Sequence, residues 1–296
     1  MKTINFIKTL IIALLVFIGA TACAQDLATS AFKVTVTGKG QPMLFIPGAT
    51  CSGDEWNETA ARYSKTYQCH VFTLAGYAGQ APLSNPPYLE TYKNQIIAYI
   101  NNNHLNHVIL VGHSIGGFLS LWIASELKDH LQKVIVVDAL PFFAAMRNPD
   151  AKNGFNEEQA KGLLAYYSKL DEPQLKAAQI AVAKGLCADS TKWEMIAGWG
   201  AKSDRKTMAY SMCEMLGNDI RQNISAIQVP VLVMGAFAAN PLYPQFTSAY
   251  VQTAYEAQYQ QCKTCVVHVT PSAKHFIMYD APEWYFSQID TFIAAK

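Results

Sequence analysis

Short apolar runs rich in Val, Ile and Leu recur along the chain, with Gly or Pro residues near their ends. These runs lie at 31–36, 43–46, 70–74, 108–111, 134–137, 231–234 and 266–269. Stretches of helical length and pattern lie between them, at about 88–101, 115–128 and 282–295. Continuous apolar strands that alternate with helices are typical of a parallel sheet covered on both faces. The pattern therefore predicts an α/β fold with a mostly parallel central sheet flanked by helices.

The alternation breaks between residues 141 and 221, where no strand pattern occurs. Three helical segments are predicted there, one starting near Asn156, one starting near Thr191 and one carrying the stripe Met208, Met212 and Met215. We expect this block to be a helical cap inserted into an α/β core formed by residues 23–140 and 222–296. In the last predicted helix, Asp280 and Glu283 have the spacing of a capping box.

Residues 1–22 have the pattern of a signal peptide. Lys2 and Lys8 precede the apolar run 10–20, which is too short to span a bilayer as a helix, since that needs about 20 residues. Small residues follow, and this order predicts export to the periplasm, the cell envelope or the medium. Cleavage before Cys23 would leave a lipid-anchored protein, whereas cleavage after an A-x-A-like site would release a soluble one. Contact with a membrane is therefore expected only if Cys23 is acylated.

Composition narrows the range of partners. The chain has 296 residues, of which 51% are hydrophobic and 15% charged, so it can bury a large core. Its 23 basic and 22 acidic residues give a formal net charge of +1, which provides no electrostatic reason to expect a nucleic-acid partner. The sequence has no Gly-rich phosphate loop, dinucleotide fingerprint or metal-spaced set of His, Cys and Glu. We therefore expect a small-molecule substrate, no cofactor and no metal.

Export would place the six cysteines that follow Cys23 in an oxidising compartment, where an even number favours disulfides. One pairing among several joins Cys51 to Cys69, Cys187 to Cys213, and Cys262 to Cys265. The Cys262-Lys263-Thr264-Cys265 segment also fits a redox motif. It precedes a predicted strand instead of opening a helix, so a structural disulfide is the expectation.

A nucleophile motif, Gly112-His113-Ser114-Ile115-Gly116, follows the predicted strand at 108–111 and precedes a predicted helix. This is G-x-S-x-G in the strand–turn–helix context that confirms the motif. A sharp turn places Ser114 at its tip, and side chains at Gly112 or Gly116 would clash there. The helix that starts at Ile115 directs free N–H groups and its dipole at the same point. The motif therefore predicts Ser114 as a nucleophile.

With this motif, the chain from residue 31 to its end resembles the α/β-hydrolase fold family. Three further segments are similar to that family: Ile46-Pro47-Gly48-Ala49 to its oxyanion loop, residues 72–79 to the turn after the next strand, and Lys274-His275-Phe276 to its histidine loop. Pro47 stands where many members have His. The resemblance implies a triad of serine, histidine and acid. It also implies an oxyanion hole made by the backbone N–H groups of Ile115 and Ala49, with Thr50 as the neighbouring option.

The positions of His275 and Asp138 relative to the predicted strands indicate which residues act as the base and the acid of the triad. His275 lies after the last predicted strand, at the same edge of the sheet as Ser114, and is expected to act as general base and then as general acid. Most family members carry the acid after the strand at 231–234, but residues 235–240 contain no carboxylate here. Some members carry it one strand earlier, where this chain has Asp138. We expect Asp138 to be the acid; Asn240 is the alternative, although an amide would not stabilise a charged histidine.

The predicted cap is rich in aromatic and apolar side chains, which suggests an apolar acyl or alcohol group in the substrate. We therefore expect an exported serine hydrolase that cleaves carboxylic esters of small or medium apolar substrates through an acyl-serine intermediate. The same triad would serve a lactonase, an amidase or peptidase, or a cofactor-free perhydrolase. A ligand-binding protein that retains the fold without turnover is the alternative from a different class.

Overall fold

A computed structural model describes residues 30–147, 151–239 and 247–295. Seven strands of the described chain form one sheet in the order β1-β3-β2-β4-β5-β6-β7. The strands are β1 Phe32–Thr37, β2 Gln41–Ile46, β3 Tyr67–Leu74, β4 Val108–His113, β5 Leu131–Val137, β6 Val231–Ala236 and β7 Cys265–Thr270. β1 pairs with β3 in the antiparallel sense, and all the other pairs in this sheet are parallel. The predicted α/β fold is confirmed.

Strand residues alternate between two apolar cores, one on each face of the sheet. In β4, Val108 and Leu110 join the first core, whereas Ile109 and Val111 join the second. The helices that contribute to the first core include α2 (Tyr88–Asn102), α3 (Ile115–Glu126) and α9 (Ser248–Tyr259). Those that contribute to the second core include α1 (Asn57–Tyr63), α10 (Ile277–Asp280) and α11 (Pro282–Ala294). Helices therefore cover both faces, as expected for continuous apolar strands.

The described chain between β5 and β6 is helical. It contains α4 Ala144–Arg147, α5 Glu157–Lys169, α6 Glu172–Leu186, α7 Trp193–Lys202 and α8 Arg205–Gly217. We call this block, α4 to α8, the helical insertion. Helix α5 packs on α8, and α6 packs on α7. Helix α6 was not among the predicted segments, although it opens with a capping box in which the Asp171 and Gln174 side chains bond each other's backbone N–H.

The insertion is joined to the core through a buried carboxylate. Glu214 of α8 accepts hydrogen bonds from the N–H groups of Tyr88 and Leu89, at 2.9 and 2.8 Å. These groups lie at the start of α2, where backbone N–H groups lack partners within the helix. A carboxylate at a helix N-terminus is also favoured by the helix dipole. Glu214 therefore holds the insertion against α2.

The predicted disulfides are wrong in the described structure, because all six cysteines are free thiols. The Cys69 thiol faces the carbonyl oxygen of Ala60 at 3.9 Å, and the Cys187 thiol faces the Asp280 carboxylate at 3.3 Å. Cys262 and Cys265 share one tight turn, closed by a 3.3 Å backbone hydrogen bond, and remain two thiols. An even number of cysteines therefore did not mean that their side chains pair in the folded chain.

The predicted capping box is also wrong. The residue that precedes α11 is Ala281, and no side chain caps this helix. The Asp280 carboxylate instead accepts N–H groups from Lys274 at 2.9 Å, Ala188 at 2.8 Å and Asp189 at 3.0 Å. Several charge-assisted hydrogen bonds from two separate segments outweigh a single local cap.

Three of the sequence predictions fall on residues outside the described ranges: the signal peptide at 1–22, the acylation of Cys23 and the alternative role of Asn240. Export and lipidation therefore stay predictions. Within the described residues, every helix is too short or too polar to cross a bilayer.

Replacing Glu214 with Ala leaves the N–H groups of Tyr88 and Leu89 buried without an acceptor. We expect the free energy of unfolding to fall by about 2–4 kcal/mol, because each unsatisfied buried donor costs roughly 1–3 kcal/mol. Urea denaturation monitored by circular dichroism measures this change. The matched control is Glu283→Ala, an exposed glutamate in the first turn of α11, which should change stability by less than about 0.5 kcal/mol. Equal losses in the two variants would contradict the role of Glu214.

Candidate active site

The turn between β4 and α3 holds Ser114 in a strained backbone conformation, with φ 53° and ψ −121°. Positive φ is unfavourable for a residue with a side chain, and such strain is typical of functional turns. The turn is fixed by two hydrogen bonds of 2.9 Å, from Ser114 N–H to the Val137 carbonyl and from Phe118 N–H to the Ser114 carbonyl. A Cβ at Gly112 would overlap the carbonyl oxygen of Gly116. The sterically demanding turn that the motif predicts is therefore present.

Asp138 and His275 are brought together at the carboxyl edge of the sheet. Asp138 follows β5 with φ 46°, and His275 lies in the loop between β7 and α10. The Nδ1 atom of His275 is 2.5 Å from Oδ2 of Asp138. The ring of His275 packs 4.5 Å, centroid to centroid, from the ring of His113, the residue before Ser114. Since Nδ1 faces Asp138, Nε2 is the ring nitrogen of His275 that this carboxylate leaves unoccupied.

Among the described residues, Asp138 accepts three hydrogen bonds. Besides His275, the hydroxyl of Tyr255 donates to Oδ1 at 2.6 Å and the N–H of Ala236 donates to Oδ1 at 2.7 Å. Burial alone would raise the pKa of Asp138, but the hydrogen bond and charge of His275, together with the other two donors, hold this pKa below its ordinary value. The segment at 235–240, which lacks a carboxylate, thus supplies a donor to the carboxylate of the neighbouring strand.

Tyr255 is a site residue that the sequence analysis missed. It lies on α9 (Ser248–Tyr259), which begins after Thr247, whose side chain caps the helix by accepting the N–H of Tyr250. Val251, Tyr255 and Tyr259 are buried and recur every four residues. This spacing and the threonine cap are the signals that could have identified the helix.

The predicted oxyanion loop packs against the first turn of α3. After β2, a 3.1 Å hydrogen bond from Cys51 N–H to the Gly48 carbonyl closes a turn that contains Ala49. A Cβ at Gly116 would overlap the carbonyl oxygen of Ile46, so glycine is what allows this close approach. Ile115 is the first residue of α3, where N–H groups have no partner inside the helix. Both predicted donors therefore lie at the same end of α3, and their role stays a prediction.

The helical insertion contacts two of the loops that form this site. Asp280 bonds the N–H of Lys274, next to His275, as well as two N–H groups that follow α6. Ser203, after α7, accepts the N–H of Ala78 at 2.9 Å, donates to the carbonyl of Trp199 at 3.0 Å and lies 3.4 Å from the carbonyl oxygen of Thr50. The insertion is thus bonded to the histidine loop and packs against the oxyanion loop.

The described residues contain no cluster of three or more His, Cys, Asp and Glu side chains arranged to hold a metal ion. The described groups at this edge of the sheet include the hydroxyl of Ser114 and the hydrogen-bonded pair of His275 and Asp138. Such a set can transfer a proton from an alcohol and carries out acyl transfer in many unrelated folds.

A family model described as the alpha/beta hydrolase family matches residues 43–288. The chain belongs to this family. The pimeloyl-[acyl-carrier protein] methyl ester esterase of Vibrio cholerae is 28% identical over 135 residues, which make up 44% of this chain and 51% of that protein. The chain therefore matches about half the length of this relative. A putative non-heme chloroperoxidase of Synechocystis is 20% identical over 252 residues, 81% of this chain and 86% of that protein.

Solved structures share the architecture. An esterase from Exiguobacterium antarcticum has a TM-score of 0.73 at 16% identity, covering 89% of this chain and 96% of that one. An enol-lactonase from Burkholderia xenovorans has a TM-score of 0.69 at 14% identity, with the same coverage of 89% and 96%. Likeness at this level of identity shows the fold alone.

Replacing Tyr255 with Phe removes a donor from an ionised carboxylate. We expect the free energy of unfolding near neutral pH to fall by about 1.5–3 kcal/mol. Because the pKa of Asp138 is lowered in the folded state, the stability it contributes is present above the ordinary pKa of about 3.9 and is lost as pH falls through the folded value. The loss caused by Tyr255→Phe should therefore shrink below about pH 4. Urea unfolding at a series of pH values measures this.

Tyr259→Phe is the matched control for this experiment. Tyr259 lies one turn further along α9 and donates to the neutral carbonyl of Ala139 at 2.8 Å. Its loss should cost about 1 kcal/mol with little change in acid, since no carboxylate is involved. If the Tyr255→Phe loss does not vary with pH, the hydroxyl does not stabilise the ionised form of Asp138.

Proposed function

We propose that this protein is a serine hydrolase that cleaves carboxylic esters through an acyl-serine intermediate, with Ser114, His275 and Asp138 as its triad. The observation that carries the proposal is the 2.5 Å contact between His275 Nδ1 and Asp138, next to a strained turn with Ser114 at its tip. A serine hydroxyl is a weak nucleophile, so it needs a base that is itself oriented by a third group. This arrangement provides such a base beside the motif that presents the serine.

In the first half of the reaction, Oγ of Ser114 attacks the ester carbonyl while Nε2 of His275 takes the hydroxyl proton. Asp138 holds the Nδ1–H and stabilises the imidazolium that forms. The N–H groups of Ile115 and Ala49 would hydrogen-bond the negative oxygen of the tetrahedral intermediate. His275 then gives the proton to the departing alkoxide, and the acyl group remains on Ser114.

In the second half, water attacks the acyl-serine while His275 accepts one of its protons. Collapse of the second tetrahedral intermediate breaks the bond to Ser114, whose oxygen takes the proton back from His275. The products are a carboxylic acid and an alcohol, and the enzyme returns to its starting state. The chemistry uses side chains and backbone N–H groups of this chain throughout.

Ester substrates of small or medium size with apolar groups are the class we propose. The insertion adjoins the loops of the site through Ser203 and Asp280, and several of its large side chains are apolar or aromatic, including Trp199, Met208 and Tyr210. Pockets with apolar walls and a few polar groups select apolar ligands. A panel of nitrophenyl esters of graded chain length, assayed beside lactones and amides, separates this class from the other substrates of the same triad.

Replacing Ser114 with Ala tests the nucleophile. We expect labelling by a fluorophosphonate probe to disappear and ester turnover to fall by about 10⁴-fold or more, since the covalent step is lost. Ser125→Ala is the matched control: Ser125 lies on the same helix, bonds only the Trp122 carbonyl in the described structure, and should leave labelling intact. A folded wild-type protein that resists the probe and still binds an ester analogue would instead be a binding protein.

Replacing Asp138 with Asn tests the acid. The amide cannot stabilise a charged His275 and favours the wrong imidazole tautomer, so kcat should fall by about 10⁴-fold while the protein remains folded. Steady-state kinetics on the preferred ester measures this, and circular dichroism verifies the fold. Asn240→Ala should keep activity close to that of the wild type. The opposite result, with Asn240→Ala inactive and Asp138→Asn active, would reject Asp138 as the acid.

A further inference from the structure

A second histidine–carboxylate pair lies buried behind the nucleophile turn. Glu55 belongs to the 3-10 helix Gly53–Trp56 that follows the oxyanion loop, and His113 is the last residue of β4. Nδ1 of His113 and Oε1 of Glu55 form an ion pair, and the two side chains are 1% and 0% exposed. Within the described structure, these two atoms have no polar partner other than each other.

The remaining polar atoms of the pair reach two loops of the site. Oε2 of Glu55 accepts the N–H of Gly48 at 2.8 Å, at the start of the oxyanion loop. Nε2 of His113 lies 3.1 Å from the backbone carbonyl oxygen of His275. The pair therefore connects the oxyanion loop, the nucleophile turn and the histidine loop in one buried network.

The partners of His113 determine its protonation. A backbone carbonyl only accepts hydrogen bonds, so Nε2 must carry a proton. With Glu55 ionised, its Oε1 also only accepts, so Nδ1 must carry a proton as well, whereas a protonated Glu55 would donate to a neutral Nδ1. An imidazole that donates from both nitrogens is an imidazolium. Removal of either proton would leave two acceptors facing each other in the interior, which is costly without water.

The other titratable groups near the pair do not oppose this state. Burial alone would lower the pKa of His113, but the charge and hydrogen bond of Glu55 raise it above its ordinary value, and Asp138 adds to the effect. Cys51, Tyr279 and Tyr285 interact with Glu55 through charge, and the Tyr279 hydroxyl donates to the Glu55 backbone carbonyl at 3.1 Å. Burial raises the pKa of all three groups, so they stay neutral. The ring of His275 packs on His113, and its Nδ1 faces Asp138.

We propose that Glu55 and His113 form a permanently charged, buried pair that positions the oxyanion loop and the His275 backbone relative to Ser114. The two residues are positioning residues, because they act through Gly48 and His275 and not on the substrate. The positioning role rests on the proposed function, whereas the charge of the pair does not. The two parts are therefore tested separately.

The charge is tested by counting ring protons on His113 in protein labelled with ¹⁵N histidine. At about pH 8, well above the ordinary histidine pKa of about 6.5, wild-type His113 should show two ring N–H groups. His70 serves as the internal reference, because burial lowers its pKa and it should show one. In Glu55→Gln, the amide can donate to Nδ1 and still accept from Gly48, so His113 should lose one ring proton. A single ring proton on wild-type His113 would overturn the charged pair.

The positioning role is tested with Glu55→Ala and Glu55→Gln in steady-state ester hydrolysis. Glu55→Ala removes the support of the Gly48 N–H and leaves His113 without its carboxylate. We expect kcat to fall by about 100-fold with little change in KM, because small displacements of catalytic groups have effects of this size. Glu55→Gln keeps the hydrogen bonds and should recover most of kcat. Glu126→Gln, which disrupts a remote ion pair with Lys93, is the matched control.

Glu55→Gln and the ring-proton count remain informative if Glu55→Ala does not fold, which circular dichroism would reveal. The positioning role is overturned if Glu55→Gln loses as much kcat as the alanine variant, or if both keep the wild-type value. A wild type without hydrolase activity would overturn the proposed function and the positioning role with it. The ring-proton count would still decide the charge of the pair.

Discussion

The hydrogen bond between His275 and Asp138 is the contact on which the rest of the site depends. It joins two loops that are 137 residues apart in sequence and that follow β5 and β7, on either side of β6. Backbone hydrogen bonds tie both loops to β6 and to the residue that follows it. The N–H of Asp138 donates to the carbonyl of Met234, and the N–H of Ala273 donates to the carbonyl of Phe237. The parallel register of β5, β6 and β7 thus sets where carboxylate and imidazole meet, and β4 presents Ser114 beside them.

Two carboxylate–imidazole pairs, Asp138 with His275 and Glu55 with His113, lie side by side at this edge of the sheet. The two pairs differ in their exposure to solvent. The side chains of His275 and Asp138 are 16% and 12% exposed, whereas those of His113 and Glu55 are almost fully buried. Each carboxylate also accepts a backbone N–H, from Ala236 or from Gly48. A partly exposed imidazole with one free nitrogen can exchange a proton with a substrate. An imidazole with both nitrogens occupied in the interior cannot, and instead holds neighbouring segments in place.

The sequence was sufficient to predict features that depend on neighbouring residues in the chain. Gly112, Ser114 and Gly116 follow from the steric demands of one turn, and the strands follow from apolar runs that need burial on both faces. Asp138 required knowledge of strand order, because its only sequence signal is a carboxylate at a strand end. Tyr255 and Glu55 act across the fold, and nothing in their local pattern states which carboxylate or imidazole they will face. The disulfides and the Asp280 cap failed for the same reason: tertiary contacts gave those side chains other partners.

The hydrogen bonds of Asp280 connect the helical insertion to the histidine loop. A cap that swung open as a rigid lid would have to release the N–H groups of Ala188 and Asp189 from the carboxylate that also binds Lys274. These charge-assisted hydrogen bonds join this end of the insertion to the histidine loop. Glu214 anchors α8 to α2 in the same manner. A rearrangement of this end of the insertion would therefore act on the loop that carries His275, because one carboxylate binds both segments.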